Sequence, residues 1–159
     1  MAAAVLLLRV AVIHVPNPLA GPPDDATAAQ ILSGVLSNVN YAYVEKDPDA
    51  LHRAVQVVVV AETLPGVKEE LDRALAIKIV GGGIARVDTV EHVALKDVAA
   101  LERRSGFRGL AEWTAKASAG HWGHIHQRTI RFRALVELVD DEGAWKLDGI
   151  TVTDARQDT

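Results

Sequence analysis

The chain has no cysteine and a single methionine, and aromatic residues fill only 4% of its 159 positions. Without thiols it forms no disulfide, no Cys-ligated zinc site, no iron–sulfur cluster and no thiol nucleophile, whatever the redox state around it. An excess of positive charge is missing too. Seventeen Lys+Arg against 21 Asp+Glu leave a formal net charge of −4, which argues against a nucleic-acid partner held by phosphate neutralisation. No internal repeat or low-complexity tract occurs. The apolar stretch Met1–Val15 is broken by Arg9 and His14 and is shorter than the roughly 20 residues a membrane-spanning helix needs.

What is present is a chain 49% hydrophobic and 24% charged, a balance that suits one compact domain with a substantial core. Residues 1–23 stand apart from it. Met1–Val15 carries no positive charge ahead of its apolar run and no small-x-small cleavage site after it, so it makes a poor signal peptide. The Val10, Val12 alternation closed by Pro16-Asn17-Pro18 fits an edge strand or extended arm. The competing reading is a remnant of a signal or membrane anchor from a longer parent chain. Residues 24–159 then form a single domain.

Pro16 to Pro23 breaks regular structure, and Asp24-Asp25 offers a cap and a first-turn carboxylate for a helix starting near residue 25. Ala28, Ile31, Leu32, Val35, Leu36 and Val39 recur at three and four, predicting one buried face, with Tyr41 and Tyr43 towards the end. Asp47-Pro48 starts a second helix, through Leu51, Ala54, Val55 and Val58, although the run Val57 to Val60 also suits a strand. A third helix is expected from about Gly66 to Val80, ended by Gly81-Gly82-Gly83.

The hydrophobic period then changes from 3.6 to 2. Ala85 to Val90 alternates and resumes in shifted phase after Glu91-His92, which predicts a bulge. In Phe107 to Ala119, Phe107, Gly109, Ala111, Trp113, Ala115 and Ala117 share one side, with Arg108, Glu112, Thr114, Lys116 and Ser118 on the other. In His124 to Val139, His124, His126, Arg128, Ile130, Phe132, Ala134, Val136 and Leu138 oppose Gln127, Thr129, Arg131, Arg133 and Glu137. Asp140-Asp141-Glu142-Gly143 reads as a hairpin loop, and Ala144 to Thr153 as a fourth strand with a phase slip at Asp148-Gly149. Helices first and an antiparallel meander after give an α+β fold. The expected arrangement is three N-terminal helices packed in the concave face of a curved, four-stranded antiparallel sheet, cone-like, with a cavity at its open end.

The element order, Gly81-Gly82 before the first strand, the stretch Ser118-Ala119-Gly120-His121-Trp122-Gly123-His124-Ile125-His126-Gln127-Arg128 and the closing Gly143-Ala144-Trp145-Lys146-Leu147 resemble nuclear-transport-factor-2-like (cystatin-like) domains. The likeness spans roughly residues 28 to 155. Within that superfamily the chain resembles an uncharacterised bacterial group sharing a Gly-His-Trp-Gly-His-x-His-x-Arg stretch. The resemblance implies sheet-to-sheet homodimers, and a parent protein that is exported or membrane-anchored, any membrane link running through that parent. It implies no particular reaction, because the superfamily contains enzymes and binding modules alike.

The sharpest local signal is His121-x-x-His124-x-His126. Residues two apart on a strand share a side, so His124 and His126 stand about 7 Å apart at their α-carbons, near enough for two imidazoles to converge on zinc or another divalent transition metal. His121 would close such a site across Trp122-Gly123. The plainer reading is that the histidines bond backbone and carboxylates around a strand entry under a Trp122 lid. Arg128 next on that face, before apolar Ile130, suits a small anionic ligand at the mouth of an apolar pocket; otherwise it is a rim arginine paired with Glu112 or Asp148. Tyr41 offers a hydroxyl to the same cavity or caps the core. No Ser-His-Asp order or nucleophile elbow is present. The sequence therefore favours small-ligand binding or protein association, with no cofactor and with an exposed sheet face for a homodimer. A metal-dependent or acid–base enzyme built on His121, His124 and His126 is the alternative.

Overall fold

The computed structural model describes residues 21–45, 47–75, 86–121 and 124–158, apart from the side chains of 75, 86, 119–121, 124–126 and 158. Three helices precede four strands: α1 Asp25–Ala42, α2 Pro48–Val58, α3 Leu64–Leu75, β1 Arg86–Ala100, β2 Gly106–His121, β3 His124–Asp141 and β4 Ala144–Asp158. The strands form one antiparallel sheet in the order β1-β2-β3-β4. The sheet is curved and does not close, so the fold is α+β.

Local chemistry sets the helix starts. Asp24 accepts the Thr27 N–H at 2.8 Å and Asp47 the Ala50 N–H at 2.8 Å, each relieving one of the donors a helix leaves unpaired at its first turn. Pro48, with φ already helical and no N–H to lose, follows the second cap. The α1 stripe Ala28, Ile31, Leu32, Val35, Leu36, Val39 and Ala42 is buried as its spacing predicts. The four-valine run divides. Val58 ends α2, while Val59 turns extended and bridges Leu147 of β4. Helix α3 begins two residues before the expected Gly66; its expected continuation to Val80 and the Gly81-Gly82-Gly83 stop lie outside the described residues.

The β2–β3 register runs without interruption from Gly106↔Val139 to His121↔His124. Alternation then sends Phe107, Ala111, Trp113, Phe132, Ala134, Val136 and Leu138 under the helices, all buried. Trp113 stacks on Phe132 with ring centroids 5.1 Å apart, and Phe107 meets Trp145 at 5.2 Å. Helix α1 lies along β1, α3 lies against β4, and α2 bridges them. Strand β1 slips register at the expected Glu91-His92 position and at two others. His92 and Asp97 adopt left-handed φ of 53° and 55°, and such bulges bend the strand away from a flat edge. Strand β4 slips at Asp148 as expected and again at Thr153, and it runs on to Asp158 beyond the expected Thr153 end. Glu142 and Gly143, at φ 55° and 84°, make the two-residue β3–β4 turn that matches strand twist.

The outer edge of β4 is capped by α3 and by the segment before it. The Val60 N–H donates to the Leu147 carbonyl at 3.0 Å. Five residues further on, Glu70 accepts the Val152 N–H at 2.7 Å, while Arg73 donates to the Val152 carbonyl at 3.3 Å and binds Glu70 in a fork. Together the two side chains occupy the donor and acceptor that another strand would seek. The Arg73 guanidinium, with the Val152 N–H, holds the Glu70 carboxyl below the usual carboxylate range.

Two outcomes follow. Phe132→Ala removes a ring stacked in the core and lowers unfolding free energy by roughly 3–5 kcal/mol in urea titration. Glu70→Ala uncovers the β4 edge, so light scattering at neutral pH grows faster than in wild type. Because the folded Glu70 carboxyl is depressed, its cap is complete above the ordinary carboxylate range and is lost as pH falls through the depressed value, so wild type matches the variant only in acid.

Candidate functional site

Of the residues singled out by sequence, His121, His124, His126 and Arg128 fall at one end of the β2–β3 pairing. The register pairs His121 with His124 and Ala119 with His126, in the rows that continue Ala117↔Arg128 and Ala115↔Ile130. Trp122 lies outside the described residues, as do the imidazoles of His121, His124 and His126. Arg128 is half-buried and donates from Nη1 to Gln157 Oε1 at 3.1 Å. Its expected carboxylate partners are engaged elsewhere: Glu112 with Arg133 at 2.7 Å, and Asp148 with Arg104 at 3.2 Å. The continuous register places Glu112 beside Arg133 and five residues along β2 from Ala117, the partner of Arg128.

Tyr41 and Tyr43 separate. Tyr41 is 61% exposed and borders a recess of about 310 Å³ between the end of α1 and Val87–Val90. Tyr43 points inward and donates its hydroxyl to Asp72 Oδ1 at 2.7 Å, tying α1 to α3; burial and then the adjacent carboxylate push its phenol upward.

The outer face of the sheet falls into two halves. Towards the β2–β3 turn it is a lattice of ion pairs: Arg133–Glu112 at 2.7 Å, Lys116–Glu91 at 2.8 Å and Arg156–Asp154 at 2.9 Å, with Ser118 bonded to Asp88. The Lys116 ammonium holds the Glu91 carboxyl below its usual range. Towards the other end the pattern changes. The cross-strand row Thr151–Leu135–Leu110–Lys96 brings two leucines together on the outward side, and Leu135 is 55% exposed.

A cavity of about 940 Å³ opens over these leucines, bounded beyond β4 by Glu62, Thr63 and Pro65 and beside β1 by Asp97. Gly149 makes the room. It sits opposite Glu137, whose Oε2 lies 3.4 Å from where a Cβ on residue 149 would stand. The wall is pinned at Asp148, whose Oδ1 accepts from the Thr63 hydroxyl at 3.2 Å and from Arg104 at 3.2 Å. Arg108 and Glu137 are direct register partners, yet among the described residues neither is in an ion pair. This cavity lies on the opposite face and at the opposite end from the mouth expected near Trp122. Its sequence signal was the pair Leu110 and Leu135 at outward positions in otherwise polar alternations.

Among the described residues no group of three His, Cys, Asp or Glu side chains is placed to hold a metal ion, and no helix is long and apolar enough to cross a membrane. No family profile matches the sequence, and no curated protein does. Among solved structures the chain is similar to the crystal structure of the intermembrane space region of chloroplast protein ARC6, with 15% identity and a TM-score of 0.54, covering 82% of this chain and 96% of that one. At that identity the likeness bears on the fold alone.

Proposed function

We propose that this domain is a binding and association module whose seat is the Leu110–Leu135 cavity on the outer face of the sheet. One observation carries the reading: an apolar floor lies open in a face that elsewhere satisfies its own charges. Fully burying a leucine gains about 1.5–3 kcal/mol, so covering one left half-exposed gains about half of that, and a concave apolar floor with a few polar groups around it is the usual shape of a binding site. The helices packed under the bent sheet support the nuclear-transport-factor-2-like, tapering-shell reading of the fold. The sheet face expected to carry a homodimer is this same face, so a second copy is one occupant of the seat and a small apolar ligand another.

The neutral apolar dye Nile red tests the seat. Its fluorescence rises with wild type and is lost in Leu135→Arg and in Gly149→Leu, while both variants keep the wild-type urea midpoint. An unchanged dye signal in both variants removes the reading.

A second reading keeps a specific observation behind it, the register that sets His121 opposite His124 with His126 two residues on. On it, protein purified without a polyhistidine tag binds about one zinc per chain, and His124→Ala abolishes the uptake, read by elemental analysis. Zinc-free protein after dialysis against the metal refutes it.

A further inference from the structure

We propose that the occupant of the Leu110–Leu135 cavity is a short amphipathic helix of a partner protein, with aliphatic anchors on one side and lysine or arginine at both ends. The inference rests on the seat described above and adds the chemistry of what fills it.

The backbone of the site dictates a helix. The cavity floor is made by β2 and β3, interior strands whose N–H and C=O groups are spent on neighbours. The β4 edge is capped at Leu147 by Val60 and at Val152 by Glu70 and Arg73. On this flank a visiting segment finds the ladder already taken, and the other edge, β1, is broken at the cavity by the register shift and left-handed φ at Asp97, so a segment that satisfies its own backbone internally, as a helix does, suits the seat. Three inter-strand gaps of about 4.8 Å set β1 and β4 about 14 Å apart, a span that about ten helical residues cover.

The charges dictate the ends. Asp97 stands at the β1 side, Glu62 beyond the β4 side, and Glu137 between them. Against these three carboxylates the cavity offers Arg108, and Asp148 is already held by Arg104. Among the described residues none of Glu62, Asp97, Glu137, Arg108 and Lys96, the last at the end of the leucine row, is in an ion pair, so three carboxylates against two cations leave an excess of negative charge around an aliphatic floor. That field attracts a cationic ligand and, in a face-to-face pair of identical copies, repels. Basic ends on an aliphatic helix answer both features, as helix-in-groove recognition does generally.

The test is fluorescence anisotropy on the full chain with three labelled peptides of about twelve residues. They share leucine anchors at i, i+3 and i+7 and differ in lysine, serine or glutamate at both ends. The lysine-ended peptide is expected to bind at least about tenfold tighter than the glutamate-ended one, with the gap closing in about 0.5 M salt. Glu62→Gln with Asp97→Asn narrows the gap, and Leu135→Asp, at an exposed position, abolishes binding without moving the urea midpoint. If all three peptides bind alike and Leu135→Asp removes them, the seat stands and the basic partner is overturned. Absence of binding by all three at about 1 mM, with Nile red also unmoved by Leu135→Arg, overturns both. A dimer in equilibrium sedimentation that Leu135→Asp dissolves puts a second copy in the seat and overturns this inference alone.

Discussion

The unbroken pairing of β2 with β3 governs this molecule. From Gly106 to His121 every residue has one opposite number, with no bulge to exchange the two faces. A slip of one residue would set Phe132 on the opposite face from Phe107 and Trp113 and bring Arg133 under the helices in its place. The central hairpin thus decides which side is core and which side is available for contact. Irregularity is confined to the outer strands, β1 and β4. There it bends the sheet and, at Asp97 and Asp148, shapes the two flanks of the cavity.

Burial and openness on this sheet come from the same alternation. On the inner side Gly109 stands close under Leu95, where an added Cβ would lie 3.0 Å from the Leu95 side chain and from the Lys96 carbonyl. On the outer side Gly149 leaves space beside Glu137, and among the described residues the helical layer reaches the cavity only through Pro65, Gly66 and Val67 at the start of α3. The loop before α3 reaches past β4 only far enough to form a wall through Thr63 and Asp148. A surface that is ion-paired over one half and aliphatic over the other is asymmetric in what it can attract.

Much of the architecture could be read locally. Asp24 and Asp47 announce helix starts because a cap acts within three residues. The alternation through Phe107–Ala117 and Ile130–Leu138 announces strands because side-chain direction repeats every two. The bulge at His92 showed as a phase shift, whereas that at Asp97 left no such trace, its left-handed φ being a property of one residue. The cavity was legible only in part. Leu110 and Leu135 each break a polar alternation, but that they meet depends on a register set by the whole hairpin. That Glu70 reaches Val152, 82 positions away, depends on how α3 docks. The histidine stretch is legible because metal-ligand spacing is a short-range pattern, and a site assembled from leucines, a glycine and scattered carboxylates has none.

The strand order carries a kinetic consequence. Each strand pairs only with the one before or after it in the chain, so the sheet has a low contact order for its size. Successive hairpins close loops of a few residues, at little entropic cost, before the helices dock. The sheet is therefore expected to nucleate at the β2–β3–β4 end, with α1 and α3 joining as lids on a template that already has its final twist.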